Sequence, residues 1–299
     1  MTESILASYT SFRYYPELVS AGVLPDATAD NVLAFRESRG GTLLGMTRFE
    51  AHLDNMPAFG YARAALRLME APTGPAAARW YLLTAGHAAG YMSRGTFSAS
   101  EQLAVAADGA GQWRDYLWEY LEGGIDQCVP SLMLAPLSTL WALLFEWRPQ
   151  PDTLWLARGA PRRWFDDGGF AVENAPTSFG IVSFSAAAAA AAAAGAAAGA
   201  STTANATTVF SVAFAPPPFA APRAAGGTPL TLVLRVRALA PGSAMVGAVL
   251  VDVTPSGARV ALVSSNATAE TATVELAPPF EAVAFAVRAF FAAGGAGGF

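Results

Sequence analysis

The stretch Tyr91-Met92-Ser93-Arg94-Gly95-Thr96-Phe97-Ser98-Ala99-Ser100-Glu101 gathers a phenol, a guanidinium, several hydroxyls and a carboxylate into one Gly-containing loop. It interrupts an apolar helical pattern, and a loop so dense in polar groups is where a binding surface is expected. Around it, carboxylates are the groups best suited to chemistry. Hydrolysis of a glycosidic bond needs a protonated acid near the leaving oxygen and an ionised partner near the anomeric carbon or its attacking water. Acids at element ends that could take those parts are Glu50, Asp54, Glu101 and Asp126. Each also has a plain structural reading. Ser98-x-x-Glu101 matches a capping box. Asp54 stands before a helix, where it can cap or offset the macrodipole, and Asp126 fits a turn. Arg94 is different, because capping asks for no Arg between Ser93 and Gly95. Its planar fork suits a carboxylate, either of the protein in a salt bridge or of a ligand.

Other chemistries are excluded by composition. Every basic residue is Arg, so a P-loop lysine and a Schiff base are both ruled out. The two histidines, His52 and His87, form no His-Glu-x-x-His pattern, and Gly-x-Ser-x-Gly does not occur. A single cysteine, Cys128, permits neither an intramolecular disulfide nor a multi-cysteine metal site. Neither cofactor nor metal is therefore expected. A net charge of −5 leaves no electrostatic footprint for nucleic acid. His87 shares a helical stripe with Trp80 and Leu83, which predicts a hydrogen-bonded core histidine.

These groups must be positioned by surrounding elements. With 299 residues the chain can hold two domains, although its 53% hydrophobic content owes much to low-complexity alanine. Residues 1–150 read as helical hairpins. Pro25-Asp26 and Gly40-Gly41 punctuate a short helix around Thr28–Ser38. A helix after Pro57 repeats Phe59, Ala62, Leu66 and Met69, and a second one carries Trp80, Leu83, Thr84, His87 and Tyr91. A third amphipathic stretch aligns Trp113, Leu117, Tyr120 and Leu121. The apolar run Val129–Glu146 contains Pro130 and Pro136 and barely reaches spanning length, so a helix enclosed by its neighbours is expected and no membrane contact. No signal peptide is visible, and the compartment stays open.

Residues 151–299 carry short β-forming runs with Pro and Gly punctuation: 153–157, 170–173, 178–185, 207–214, 230–236, 245–251, 259–263, 271–276 and 282–287. They predict an antiparallel β-sandwich. Pro255-Ser256-Gly257 reads as a hairpin turn. The Ala-rich segment 186–206 has no amphipathic face and reads as a mobile insertion.

Several segments together carry a family resemblance. Met46-Thr47-Arg48-Phe49, Asp54-Asn55-Met56-Pro57-Ala58-Phe59-Gly60-Tyr61, Ser93-Arg94-Gly95-Thr96-Phe97, Cys128-Val129-Pro130-Ser131 and Leu154-Trp155-Leu156-Ala157 resemble the C-terminal part of an (α/α) toroid protein of the six-hairpin glycosidase group. The similarity runs from about Phe12 to Phe184, and Ala175–Gly180 resembles the start of that group's trailing β domain. The resemblance implies carbohydrate-directed hydrolysis by an acidic residue at the mouth of the toroid, without saying which acid.

A closed toroid of six hairpins needs twelve helices of about 11–12 residues each plus connections. The first 150 residues supply two or three hairpins. An open partial ring leaves apolar edges in water, so a missing N-terminal helical segment or a partner chain is expected. The fold class expected is therefore α+β multidomain, an incomplete (α/α) toroid followed by an antiparallel β-sandwich. Two functions remain open. In one, a glycoside-hydrolase-like protein uses Glu101, Asp126 or Asp54 as acid and base. Tyr91, Arg94, Thr96 and Asn55 would bind the carbohydrate. In the other, a non-catalytic module holds glycan or protein on the same surfaces.

Overall fold

The computed structural model describes residues 17–43, 45–49, 52–54, 58–71, 74–87, 102–104, 129–147, 150–166, 168–189, 206–216, 228–237, 243–255, 259–278 and 282–292. The chain is α+β and divides into two compact units, residues 1–142 and 143–299.

In the first unit, helix α1 (Asp26–Ser38) follows the N-cap Pro25, sets Asp26 in its first turn where the macrodipole favours an acid, and buries Ala29, Leu33 and Arg36 on one stripe. It ends in a Schellman motif. The Gly40 N–H donates to the Glu37 carbonyl and the Gly41 N–H to the Arg36 carbonyl, with Gly40 at φ +73°. Helix α2 (Ala58–Leu68) buries Tyr61, Ala62, Ala65 and Leu66. Helix α3 (Pro75–Gly86) opens on Pro75, buries Ala76, Ala77, Trp80 and Leu83, and packs against α2. Small alanines on both helices let the pair approach closely.

A four-stranded antiparallel sheet joins these helices, in the order β1 (Thr42–Leu43), β2 (Met46–Phe49), β3 (His52–Asp54) and β4 (Gln102–Ala104). An all-helical reading of this half missed it, because runs of two to four residues are too short to show alternation. The β1–β2 turn is held by Gly45 at φ +77°; a Cβ there would lie 2.5 Å from the Leu83 backbone nitrogen. The stretch around Trp113–Leu121 lies outside the described residues.

Helix α4 (Val129–Leu143) corrects a second expectation. It is not enclosed on all sides: Ser131, Leu134, Ser138 and Ala142 are buried, whereas Val129, Met133 and Leu140 are exposed. The apolar run also stops being helical at Leu143, and its last residues form strand β5 (Leu144–Glu146). Cross-strand pairing with a partner strand has overridden a weak helical preference. Among the described residues no helix is long and apolar enough to cross a membrane.

The second unit is built on two five-stranded sheets. One has the order β12 (Val260–Asn266), β13 (Thr271–Leu276), β10 (Leu230–Arg235), β6 (Thr153–Leu156), β5. The other runs β11 (Ala244–Thr254), β14 (Val283–Ala292), β9 (Ala206–Ala215), β8 (Gly180–Ala189), β7 (Phe170–Thr177). Alternation sends Val182, Phe184, Phe210, Val212, Phe214, Phe285 and Val287 from one sheet, and Leu154, Leu156, Leu232, Leu234 and Val274 from the other, into a single core. Helix α5 (Arg162–Asp166) adds Phe165, which meets Phe170 edge-on at 5.1 Å, and Phe184 stacks on Phe210 at 5.5 Å. All pairs are antiparallel except β6 with β10, which run parallel.

Two further readings change. Ala186–Ala189 belong to β8, pairing with Phe210–Thr207, and Ala186 is fully buried. Sheet pairing supplies the burial that alanine composition alone does not reveal. Residues 190–205 lie outside the described residues. Ser256 and Gly257 of the expected Pro255-Ser256-Gly257 turn lie outside the described residues; β11 and β12 on either side belong to different sheets and do not pair as a hairpin. β11 pairs instead with β14, and β12 with β13. The β7–β8 hairpin is the tightly tied one. Thr177 Oγ1 accepts from the Phe179 and Gly180 amides, while the Glu146 carboxylate accepts from the Ser178 N–H at 3.0 Å and from its hydroxyl.

Candidate functional site

Tyr91, Arg94, Thr96, Asn55, Glu101 and Asp126 lie outside the described residues. Asp54 is the last residue of β3. Its backbone partners are Thr47 on one side and Gln102 on the other. The β3–β4 register thus ties the end of β3 to a segment far along the chain. Nothing in the composition announces this pairing, because β4 is only three residues long.

A cleft of about 460 Å³ opens between α1, β1, α2 and α3. Leu33, Leu43, Leu82 and Leu83 line its apolar side, and Arg36, Glu37, Tyr61 and Arg79 its polar side. The positions follow from helix geometry, with Leu33, Arg36 and Glu37 three and four residues apart on α1 and Arg79, Leu82 and Leu83 likewise on α3. Arg36 is buried, donates to the Gly41 carbonyl at 3.0 Å and lies over the Tyr61 ring, 5.6 Å from its centroid. Arg79 grips Glu37 with two donors, Nε at 2.6 Å and Nη2 at 3.0 Å, and also pairs with Asp30. Burial alone would lower the Arg79 pKa, but the hydrogen bonds and charges of Glu37 and Asp30 outweigh it and raise the guanidinium above its ordinary range. These charges are committed to one another. The cleft can therefore receive an apolar or aromatic group, and none of its described carboxylates is placed for acid–base work. The sequence reading missed it, since Arg36 and Arg79 look like ordinary surface residues of amphipathic helices.

His87, directly after α3, is 1% exposed, and its Nε2–H donates to the Ser131 carbonyl of α4 at 3.1 Å. Burial lowers its pKa to about 4 despite that bond, so the ring is neutral near pH 7. In the second unit Glu270 is buried and pairs with Arg162 at 3.2 Å and Arg237 at 3.5 Å. Arg237 also donates to the Ala160 carbonyl. This is a structural cluster in the core's margin. Among the described residues no group of three or more His, Cys, Asp or Glu side chains could hold a metal ion.

Neither a protein-family model nor a curated protein matches the chain. Among solved structures it is similar to Ara127N-Se, a GH127 beta-L-arabinofuranosidase from Geobacillus stearothermophilus T6. The identity is 12% and the TM-score 0.36, over 93% of this chain and 41% of that one. The chain thus spans about two fifths of that protein's length, and no residue role passes from one to the other.

Proposed function

We propose that the chain is the carbohydrate-directed part of a glycoside-hydrolase-like protein, hydrolysing O-glycosidic bonds when its helical portion is complete. In this reading the helices of the first unit are hairpins of an incomplete (α/α) toroid, and the second unit is a trailing β-sandwich. One observation carries it: in the unit that holds Asp54, the consecutive helices α2 and α3 pack against each other. Hydrolysis of a glycoside needs two carboxyl groups about 5–5.5 Å or 6.5–9.5 Å apart, and Asp54 and Glu101 are the first pair selected for it on chemical grounds. Asp126 is the third candidate, with Tyr91, Arg94, Thr96 and Asn55 contacting sugar hydroxyls. The order of the units adds support. Leu154-Trp155-Leu156, part of a segment that carries the resemblance, lies in β6 of the β unit, and Ala175–Gly180 lies in its β7–β8 hairpin.

The test uses the full chain, first shown to be monodisperse and to melt cooperatively, against a panel of aryl glycosides and oligosaccharides. Turnover of at least one substrate is expected. Asp54→Asn, Glu101→Gln or Asp126→Asn should lower it by about 10²- to 10⁴-fold, the usual contribution of a general acid or base. A folded chain that binds a saccharide without turning it over leaves the non-catalytic module standing. One that neither binds nor hydrolyses overturns the carbohydrate reading altogether.

A further inference from the structure

The hairpin of β12 and β13 turns through residues 267–270 and presents the triplet Asn266-Ala267-Thr268. Asn-x-Thr is an acceptor sequence for an N-linked oligosaccharide when it stands on an exposed turn. The triplet arises readily by chance, so its placement decides whether it can be used. Residues 263–268 are all exposed. The turn is nonetheless held at both ends. Asn266 Oδ1 accepts from the Ala269 N–H at 2.9 Å, and the buried Glu270 carboxylate is fixed by Arg162 and Arg237. The first of these bonds uses the oxygen of the carboxamide. Among the described residues it leaves both hydrogens on Nδ2 unengaged.

The other triplet of this kind, Asn205-Ala206-Thr207, is placed differently. Asn205 lies outside the described residues, and Thr207 is paired on both sides within β9, with Ala189 and Phe290.

A second observation concerns the strand that leads into the turn. Among the described residues β12 is the outermost strand of its sheet. In the other sheet the outer strands carry acids at β-bulges. On β7 the register shifts between Val172 and Ala175, around Glu173; on β11 it shifts between Val251 and Thr254, around Asp252. β12 has a bulge too, between Leu262 and Ser264, but residues 260–266 include neither a charge nor a proline. Val263, at that bulge, is 53% exposed. An uncharged outer strand with an exposed apolar side chain calls for other cover. A bulky, well-solvated sugar at its end supplies it.

We propose that Asn266 is the acceptor of an N-linked oligosaccharide that covers the open rim of β12. In the transfer, Asn266 Nδ2 attacks the anomeric carbon of a lipid-diphosphate-linked oligosaccharide. A bond forms between that carbon and Nδ2. The bond from the carbon to the diphosphate oxygen breaks, its electron pair leaves with the lipid diphosphate, and one Nδ2 proton passes to the transferase. Such donors are displayed in secretory compartments, through which the chain would pass. The site is independent of whether the first unit hydrolyses glycosides.

The full chain, isolated from the cells that make it, is digested with trypsin. Cleavage after Arg259 and Arg288 releases residues 260–288, whose only asparagine is Asn266, separate from the peptide that holds Asn205. A glycan-bearing peptide is expected, and peptide N-glycosidase in heavy-oxygen water should leave a labelled aspartate at that position. The full chain secreted from an N-glycosylating cell line supplies the variants. Thr268→Ser keeps the acceptor pattern and should keep the glycan. Asn266→Gln and Thr268→Ala should both lose it, the latter with the bond from Ala269 to Asn266 intact. All three alter exposed side chains, so the fold is not at stake. By light scattering, the Thr268→Ala chain should self-associate at lower concentration than the wild type. An unmodified 260–288 peptide in the native chain overturns the site. Added mass on that peptide that survives Asn266→Gln or Thr268→Ala means attachment to a hydroxyl and overturns it too. Equal self-association of the wild type and Thr268→Ala overturns the covering role.

Discussion

The imidazole of His87, at the end of α3, donates to the main-chain carbonyl of Ser131, in the first turn of α4, across 3.1 Å. That bond joins two helices through a ring that must stay neutral to remain buried. Folding lowers its pKa from the ordinary 6.5 to about 4. Between those values the unfolded chain takes up a proton that the native chain refuses, so stability is full above pH 6.5 and falls as the pH drops towards 4. The total loss is on the order of 3 kcal/mol. Urea titrations of the wild type and His87→Gln at pH 7, 5.5 and 4 measure it. The wild type should show the steeper decline, and parallel pH profiles would sink the assignment.

Magnitude separates the ion pairs of the two units. The Glu270 and Arg237 side chains are 8% and 4% exposed, so Glu270→Gln leaves a buried guanidinium short of its counter-charge and should cost about 3–5 kcal/mol. Glu37 is 38% exposed, and solvent screens its pairing with Arg79; Glu37→Gln should cost about 1 kcal/mol or less. Denaturation midpoints at constant m-value compare them directly. Equal losses would contradict the burial argument.

Glycine substitutions should divide in the same way. Gly45→Ala meets two penalties, a left-handed backbone and a Cβ 2.5 Å from the Leu83 nitrogen. A loss beyond the roughly 1–3 kcal/mol of backbone strain alone is expected. Gly247→Ala meets nothing within 4 Å and needs no positive φ, so it should be neutral or stabilising by up to about 1 kcal/mol. Thermal melts of both variants decide the matter, and a destabilised Gly247→Ala would be the contrary result.

How far the fold could be read from the chain depended on the length of the repeating pattern. Strands such as Thr271–Leu276 and helices such as Ala58–Leu68 lie where alternation or three-and-four spacing is sustained over six residues or more. The β1–β4 meander was invisible because its strands are two to four residues long and owe their existence to partners far along the chain. Ala186–Ala189 were hidden for a related reason, since alanine signals helix locally and β9 dictates strand. Among candidate site residues, carboxylates could be chosen by chemistry, whereas the pairing of Asp54 with Gln102 is a property of register. The β7 and β11 bulges, which aim Glu173 and Asp252, leave no recognisable mark in sequence.

Those bulges have a bearing on solubility as well. Among the described residues β7 and β11 are the outermost strands of their sheet, and a straight outer strand offers unpaired amides on which another polypeptide can polymerise. β7 is kinked midway and β11 near its end, each with an acidic side chain at the kink, and β7 adds Pro176, which has no amide proton to offer. Both borders are thereby spoiled as templates for fibril growth, and a chain so rich in alanine and valine is kept from stacking on its own kind.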